Sequence, residues 1–256
     1  MKYVCPKCRR PLILNDRVFR CENNHCFDMA KSGYVNLLLN NTNAGDNKEM
    51  VAGRIAFLEK GYYSFLRDKI NEIIGNVDTL VDLACGEGYY TRELKAVERY
   101  GFDLSKPAIT YASKHDKDTH YAIASIFALP LEDECADVVT TIFAPVAKDE
   151  IKRILKTGGR FILVSPGPDH LFELKQAVYD TPYQNAVEPT DTGLAPLETY
   201  TIKEKHIVPN ADLYELFRMT PYFYKTSEKD MAKLKNTAEL EVTFEFFIQI
   251  YRKETV

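Results

Sequence analysis

Leu80-Val81-Asp82-Leu83-Ala84-Cys85-Gly86-Glu87-Gly88-Tyr89-Tyr90-Thr91 decides how the rest of the chain is read. Its apolar opening, broken only by Asp82, suits a strand buried within a parallel sheet. Cys85-Gly86-Glu87-Gly88 then turns, and the residues from Tyr89 onward predict a helix with Leu94 facing inward. A strand that passes through glycines into a helix is a ligand-binding turn, because a residue without Cβ lets a ligand approach the backbone. The same pattern also serves as a tight turn with no ligand. A dinucleotide fingerprint would put a third glycine three residues after Gly88. Thr91 stands there, which disfavours NAD.

The spacing Asp82-x-Ala84-x-Gly86-x-Gly88 resembles the first motif of the class I methyltransferases, which bind S-adenosylmethionine. Ala84 departs from that motif, where glycine is usual. Downstream, Arg99–Phe102 reads as a second strand ending in Asp103. A carboxylate there can accept hydrogen bonds from both ribose hydroxyls of a nucleoside. Capping of the helix that starts near Lys106-Pro107 is compatible with that role. Tyr121–Ala124 predicts a third strand and Asp137–Phe143 a fourth, followed by Ala144-Pro145. A helix through Ile151, Ile154 and Leu155 leads to Gly158-Gly159, read as helix stop and strand start, and then to a fifth strand, Arg160–Val164. The alternation predicts an α/β fold with a Rossmann-like, doubly wound parallel sheet. Tyr200–Val208 and Leu240–Tyr251 alternate and predict closing antiparallel strands, with a helix through Leu213, Leu216, Phe217 and Met219 between them. His170, just beyond the fifth strand, falls at the ligand face by the rule that such sheets bind at strand carboxyl ends.

The first forty residues differ in kind from this body. Cys5-Pro6-Lys7-Cys8 can reach one tetrahedral ion from a single turn, and Cys21-x-x-x-His25 returns a second pair twelve residues later. Four ligands leave no open position, so the zinc would be structural. Cys26 competes with His25 as fourth ligand, and His25 is preferred. A redox pair at Cys5 and Cys8 is the alternative, disfavoured because no βαβ pattern surrounds it. Leu12–Leu14 and Val18-Phe19 read as a hairpin turning at Asn15-Asp16. This segment is too small to bury a core alone, so the ion would supply much of its stability. Asn40–Asn47 is polar and reads as a domain boundary or a mobile loop. Division is expected into a zinc-binding RNA-recognition domain, 1–38, and a methyltransferase domain, 39–256. Two helices, one from Glu49 and one through Phe65, Leu66, Ile70 and Ile73-Ile74, would cover the mouth of the sheet.

Charge separates the same two parts. The chain is −4 overall, but residues 1–40 hold seven basic side chains against three acidic ones, a net of +4, which leaves −8 on the remainder. A basic head on an acidic body is a nucleic-acid footprint or an ordinary solvated surface. On the first reading Lys7, Arg9, Arg10, Arg17 and Arg20 hold RNA phosphates. No apolar run is long enough to span a membrane. The basic N-terminus has no apolar core after it, so a secretory leader is not expected. The location expected is cytoplasmic, and clustered cysteines there suit metal more than disulfides.

Taken together, Cys5-x-x-Cys8, Cys21-x-x-x-His25, Phe27–Lys31, Gly33–Leu38, Gly45-Asp46, Glu49-Met50, Arg54, Phe57-Leu58, Gly61-x-Tyr63, Cys85–Thr91, Ala144-Pro145 and Pro166-Gly167-Pro168-x-His170-Leu171 resemble the bacterial 23S rRNA guanine-N1 methyltransferases. The resemblance covers the head and the body to about Tyr179. It implies methylation of a guanine N1 in a hairpin of 23S ribosomal RNA, with S-adenosyl-L-methionine as donor and a structural Zn²⁺. It implies donor contacts from Tyr63, from the turn Gly86, Glu87, Gly88 and Tyr89, and from His170. Ser125 begins the stretch that holds adenine in related enzymes. Asp169, Glu87 and His170 are candidates for the N1 proton by expected position. Solvent is the other acceptor. Tyr222, Phe223 and Tyr224 could stack on a flipped base or pack in the core. A homodimer is allowed. The alternatives are a small-molecule methyltransferase with a structural zinc head and a catalytically silent binding module.

Overall fold

The computed structural model describes residues 2–40, 45–187, 189–220, 222–223 and 226–255. Tyr224 and residues 41–44 of the polar stretch Asn40–Asn47 therefore lie outside the described residues. A small antiparallel sheet near the N-terminus is built from β1 (Ile13–Asn15), β2 (Val18–Arg20) and β3 (Cys26–Asp28). The large sheet contains β4 (Val35–Asn36), β5 (Val77–Leu83), β6 (Ala96–Asp103), β7 (Thr119–Ile123), β8 (Ala136–Ile142), β9 (Leu155–Pro166), β10 (Ala195–Pro209) and β11 (Glu239–Arg252). Their spatial order is β10-β11-β9-β8-β5-β6-β7-β4. Strands β4 to β9 pair in parallel, and β11 turns antiparallel against β9 and β10.

The parallel strands alternate between two cores, as the pleat dictates. Leu80, Val138, Ile162 and Val164 face one side, with α1 (Lys48–Leu58), α2 (Ser64–Ile74), α5 (Phe172–Val178) and α6 (Asn210–Arg218). Val81, Val139, Phe161 and Leu163 face the other, with α4 (Lys148–Ile154) and, in the same cluster, Tyr3, Leu12 and Phe19 of the N-terminal segment. Tyr3 packs edge-on against Phe19, Tyr100 and Phe102 and donates its hydroxyl to His120 O at 2.9 Å. The head thus covers one face of the sheet, and β4, within its first 38 residues, extends that sheet through β7.

Two local expectations are corrected and one element is new. The residues after the glycine turn form only a 3-10 turn, Thr91–Glu93, before β6 begins. The face such a helix would occupy is held by α2, whose Asn71 bonds Glu93 O at 2.9 Å and accepts from Lys95 N at 3.0 Å. Leu94 is buried as expected. Leu155 opens β9 instead of closing α4, and Gly158-Gly159 lies inside that strand, where the pairing with β8 slips between Ala136 and Val138. Finally, α7 (Glu228–Lys235), capped by Ser227, was not foreseen. It carries one buried residue, Leu234, so its apolar signal is faint.

Candidate active site

The turn after β5 has the tight left-handed backbone that its glycines allow. Gly88 holds φ +80°, and a Cβ there would lie 2.7 Å from the Tyr121 hydroxyl. Ala84 takes φ 56° in spite of its Cβ, a conformation that costs an L-residue about 1–2 kcal/mol. Below the turn, buried Asp82 accepts from Thr91 Oγ1 at 2.5 Å and Thr140 Oγ1 at 2.7 Å. Burial raises its carboxyl to about 6 against the pull of those two hydroxyls. Asp103, at the carboxyl end of β6, accepts from Gly86 N at 3.0 Å and from Ser105 N at 2.7 Å. The cap of α3 (Lys106–His115) is Ser105, whose Oγ accepts from Ala108 N. Asp103 is thereby left to brace the turn.

A cavity of about 940 Å³ opens at the carboxyl ends of the parallel strands, roofed in part by Met50, Arg54 and Leu58 of α1. One end is charged and includes Asp46, Arg54, Glu87 and Asp103, with Ser125 beside them. Glu87 is 3% exposed, and its Oε2 accepts no hydrogen bond among the described residues. Arg54 Nη1 stands 3.6 Å from that oxygen while Nη2 pairs with Asp46 at 2.5 Å. Burial pushes Glu87 up to about 7, only partly offset by Arg54.

The other end is aromatic: Tyr63, Phe143, His170 and Tyr222 line it with Met219 and Thr220. His170 Nδ1 accepts from the Glu245 amide at 3.4 Å, so the proton sits on Nε2, 3.3 Å from the Tyr63 hydroxyl. Burial drives its pKa down to about 3, and the ring is neutral. Asp169 does not line the cavity. Its carboxylate pairs with Lys203 at 2.6 Å and accepts from Gln184 at 2.7 Å. Tyr89 also lies off the cavity, buried edge-on against Tyr90, which does line it. Of the aromatic trio, Tyr222 reaches the wall, and Phe223 packs edge-on against Tyr214 and Phe217. In the sequence Phe143 is marked only as the end of a strand. It is 42% exposed and holds φ 57° on the cavity wall. Arg54 drew notice only as part of a resemblance, because nothing in a helical arginine announces a buried carboxylate partner.

The N-terminal ligand set converges. One donor atom from each of Cys5, Cys8, Cys21 and His25 lies within 4.8 Å of the others. Cys8 and Cys21 sulfurs are 3.7 Å apart, and His25 Nδ1 lies 3.3 Å and 3.5 Å from the sulfurs of Cys5 and Cys21. Tetrahedral Zn²⁺ with ~2.3 Å bonds to sulfur gives an edge of about 3.8 Å, so the tetrad fits zinc. Burial holds the Cys5 thiol above its ordinary value even though the backbone amides of Lys7 and Cys8 point at it, while the Arg10 amide pulls Cys8 down to about 6. Cys26 is exposed and bonds Asn24 O, outside the tetrad. The basic residues of the head are differently employed. Arg10 pairs with Glu22 at 2.8 Å, Arg17 donates to Ala30 O at 2.5 Å, and Arg9 binds carbonyls of the body. Lys7 and Arg20 make no ion pair among the described residues.

Comparison with known proteins agrees with both halves. The family described as "RlmA, N-terminal", a zinc ribbon, matches residues 3–41, and the family "Methyltransferase domain" matches residues 81–163. A 23S rRNA (guanine(748)-N(1))-methyltransferase of Streptomyces fradiae is 39% identical over 68% of this chain and 66% of its own length. YxjB of Bacillus subtilis (strain 168), which carries the name of the same family, is 31% identical over 98% of this chain and 97% of its own. Among solved structures, phosphoethanolamine N-methyltransferase 2 of Haemonchus contortus shares the fold, with a TM-score of 0.50 and 14% identity over 82% of this chain and 58% of that one. Glycine turn, acidic strand end and cavity define a class I S-adenosylmethionine-dependent methyltransferase with a structural zinc ribbon. Within that class, the chain belongs to the 23S rRNA (guanine-N1-)-methyltransferase family.

Proposed function

We propose that the protein methylates N1 of a guanine in a hairpin of 23S ribosomal RNA. What carries the reading is one chain that joins a zinc tetrad to a methyltransferase cavity whose far end is aromatic and uncharged. Such an end suits a flat purine taken out of its stack. The charged end receives the donor: Asp103 takes the ribose hydroxyls, Ser125 borders the adenine, and Arg54 with Glu87 meets the zwitterionic methionine group. Gly86 and Gly88 admit the donor against the backbone, and Tyr63 with His170 separates the two ends. Cys5, Cys8, Cys21 and His25 hold the zinc.

The bound sulfonium supplies an electrophilic methyl group, so the chain needs no metal at the reacting atoms and no covalent intermediate. Its residues work by positioning and by excluding water. Removal of the N1 proton falls to solvent at the cavity mouth. His170 has both ring nitrogens engaged, Asp169 is paired outside the cavity, and Glu87 faces Arg54 at the end that receives the donor. Lys7 and Arg20, both exposed, would meet RNA phosphates.

The test is transfer of labelled methyl from the donor to 23S RNA fragments, followed by digestion to nucleosides. Label in 1-methylguanosine is expected. No label in the RNA, with label in small metabolites when a cell extract is offered instead, would replace this reading with that of a small-molecule methyltransferase.

A further inference from the structure

Arg9 directly follows the zinc ligand Cys8 and holds φ 61°. Its guanidinium donates from Nη1 to Leu129 O at 2.8 Å and from Nη2 to Leu131 O at 2.9 Å. Arg153 of α4 donates to the same two oxygens, from Nη2 to Leu129 O at 3.0 Å and from Nη1 to Leu131 O at 2.8 Å. A carbonyl oxygen has two lone pairs, so the two guanidiniums together saturate both acceptors. Their mutual repulsion is offset by Glu150 and Asp133. Glu150 pairs with Arg153 at 2.8 Å and accepts from Leu129 N at 2.5 Å, while Asp133 lies 2.7 Å from Arg153 and 3.8 Å from Arg9. Two cations and two anions thus grip one short piece of backbone.

That backbone ends the loop after β7, and the same loop begins with the cavity-lining Ser125, Ile126 and Phe127. Ala128 N returns to Ser125 O at 3.1 Å, which ties the lining stretch to the gripped one. The head adds a main-chain bond from Val4 N to Pro130 O at 3.0 Å. Leu129 and Leu131 are fully buried, so the grip is anchored in the core.

We propose that Arg9 is a positioning residue for the methyl donor: it fixes the loop 125–131 against the zinc-bearing turn, so that the head presets the adenine end of the cavity. A loop held in its bound conformation before the ligand arrives spares the ordering cost at binding. The proposal rests on the donor lying at the Ser125 end, as argued above. It removes Arg9 from the set of RNA-contacting residues and gives the head a second task besides RNA.

Titration calorimetry with S-adenosylmethionine, hydrogen exchange and RNA binding test it on three variants of the full chain. Arg9→Ala should weaken donor affinity about tenfold, with faster exchange at the amides of 128–131 and unchanged RNA affinity. Arg9→Lys, which keeps the charge and can keep one of the two hydrogen bonds, should fall between and carries the comparison if the alanine variant does not fold. Lys7→Ala should weaken RNA binding and leave the donor untouched. Unchanged donor affinity in a folded Arg9 variant overturns the proposal, whether or not RNA binding falls. Failure of the unaltered protein to bind the donor at all would instead overturn the functional reading on which it rests.

Discussion

A buried carboxylate oxygen that accepts no hydrogen bond is a cost to folding, and Glu87, facing Arg54 at 3.6 Å, keeps that cost at the cavity wall. Its folded-state pKa of about 7 lies above the ordinary 4.5. Its share of stability is therefore full below pH 4.5 and is lost as pH rises through 7. Glu87→Gln should be more stable than the parent at pH 8, by on the order of 2 kcal/mol, and the gain should vanish near pH 4.5. The same variant should bind the donor more weakly, a combination that separates ligand recognition from structural support. Asp103→Ala should weaken donor binding by roughly ten- to hundredfold, read by calorimetry. His170 behaves oppositely to a catalytic histidine. Depressed to about 3, it stays neutral across the working range, so an inflection of the methylation rate near pH 7 belongs to Glu87 and should persist in His170→Gln. An inflection there that disappears in His170→Gln would contradict the assignment.

At the scale of elements, the glycine turn is the least forgiving. Gly88→Ala meets both a positive φ and the Tyr121 hydroxyl, and should abolish donor binding or folding. An Ala variant with intact affinity in calorimetry would show that the turn can relax. The strands of the parallel sheet were legible because each is a short apolar run closed by turn residues, and Asp103 could be placed because it ends one of them. The missing helix after the turn was not legible: Tyr89, Tyr90 and Leu94 have helical credentials, but a separate helix, α2, already covers that face. Three of the metal ligands, Cys5, Cys8 and Cys21, were readable from spacing, which left Cys26 open against His25 as the fourth. Arg9 was not, because its partners are main-chain oxygens some 120 residues away, and a carbonyl leaves no trace in side-chain pattern. Phe143 was likewise hidden: a strand-end phenylalanine reads as core, and only its positive φ and exposure set it apart.

Across the whole molecule, the zinc head and the body share one hydrophobic cluster and one sheet. A head of this size depends on its metal for stability, and here its loss removes a cover from the central sheet. Metal analysis should return one zinc per chain. Chelation, or Cys8→Ala, should lower the melting temperature of the whole protein in a single transition followed by calorimetry. An early transition of the head alone, with the body's melting unchanged, would show that the shared core adds little coupling.

The central claim is that this cavity methylates guanine N1 in 23S RNA. N1 methylation blocks Watson–Crick pairing and halts reverse transcription at the modified base. Ribosomal RNA from a strain lacking the protein, incubated with the purified protein and S-adenosylmethionine, should acquire a single new primer-extension stop at a guanine in a 23S hairpin, dependent on both additions. RNA that gains no stop, from protein shown to bind the donor, would contradict the account.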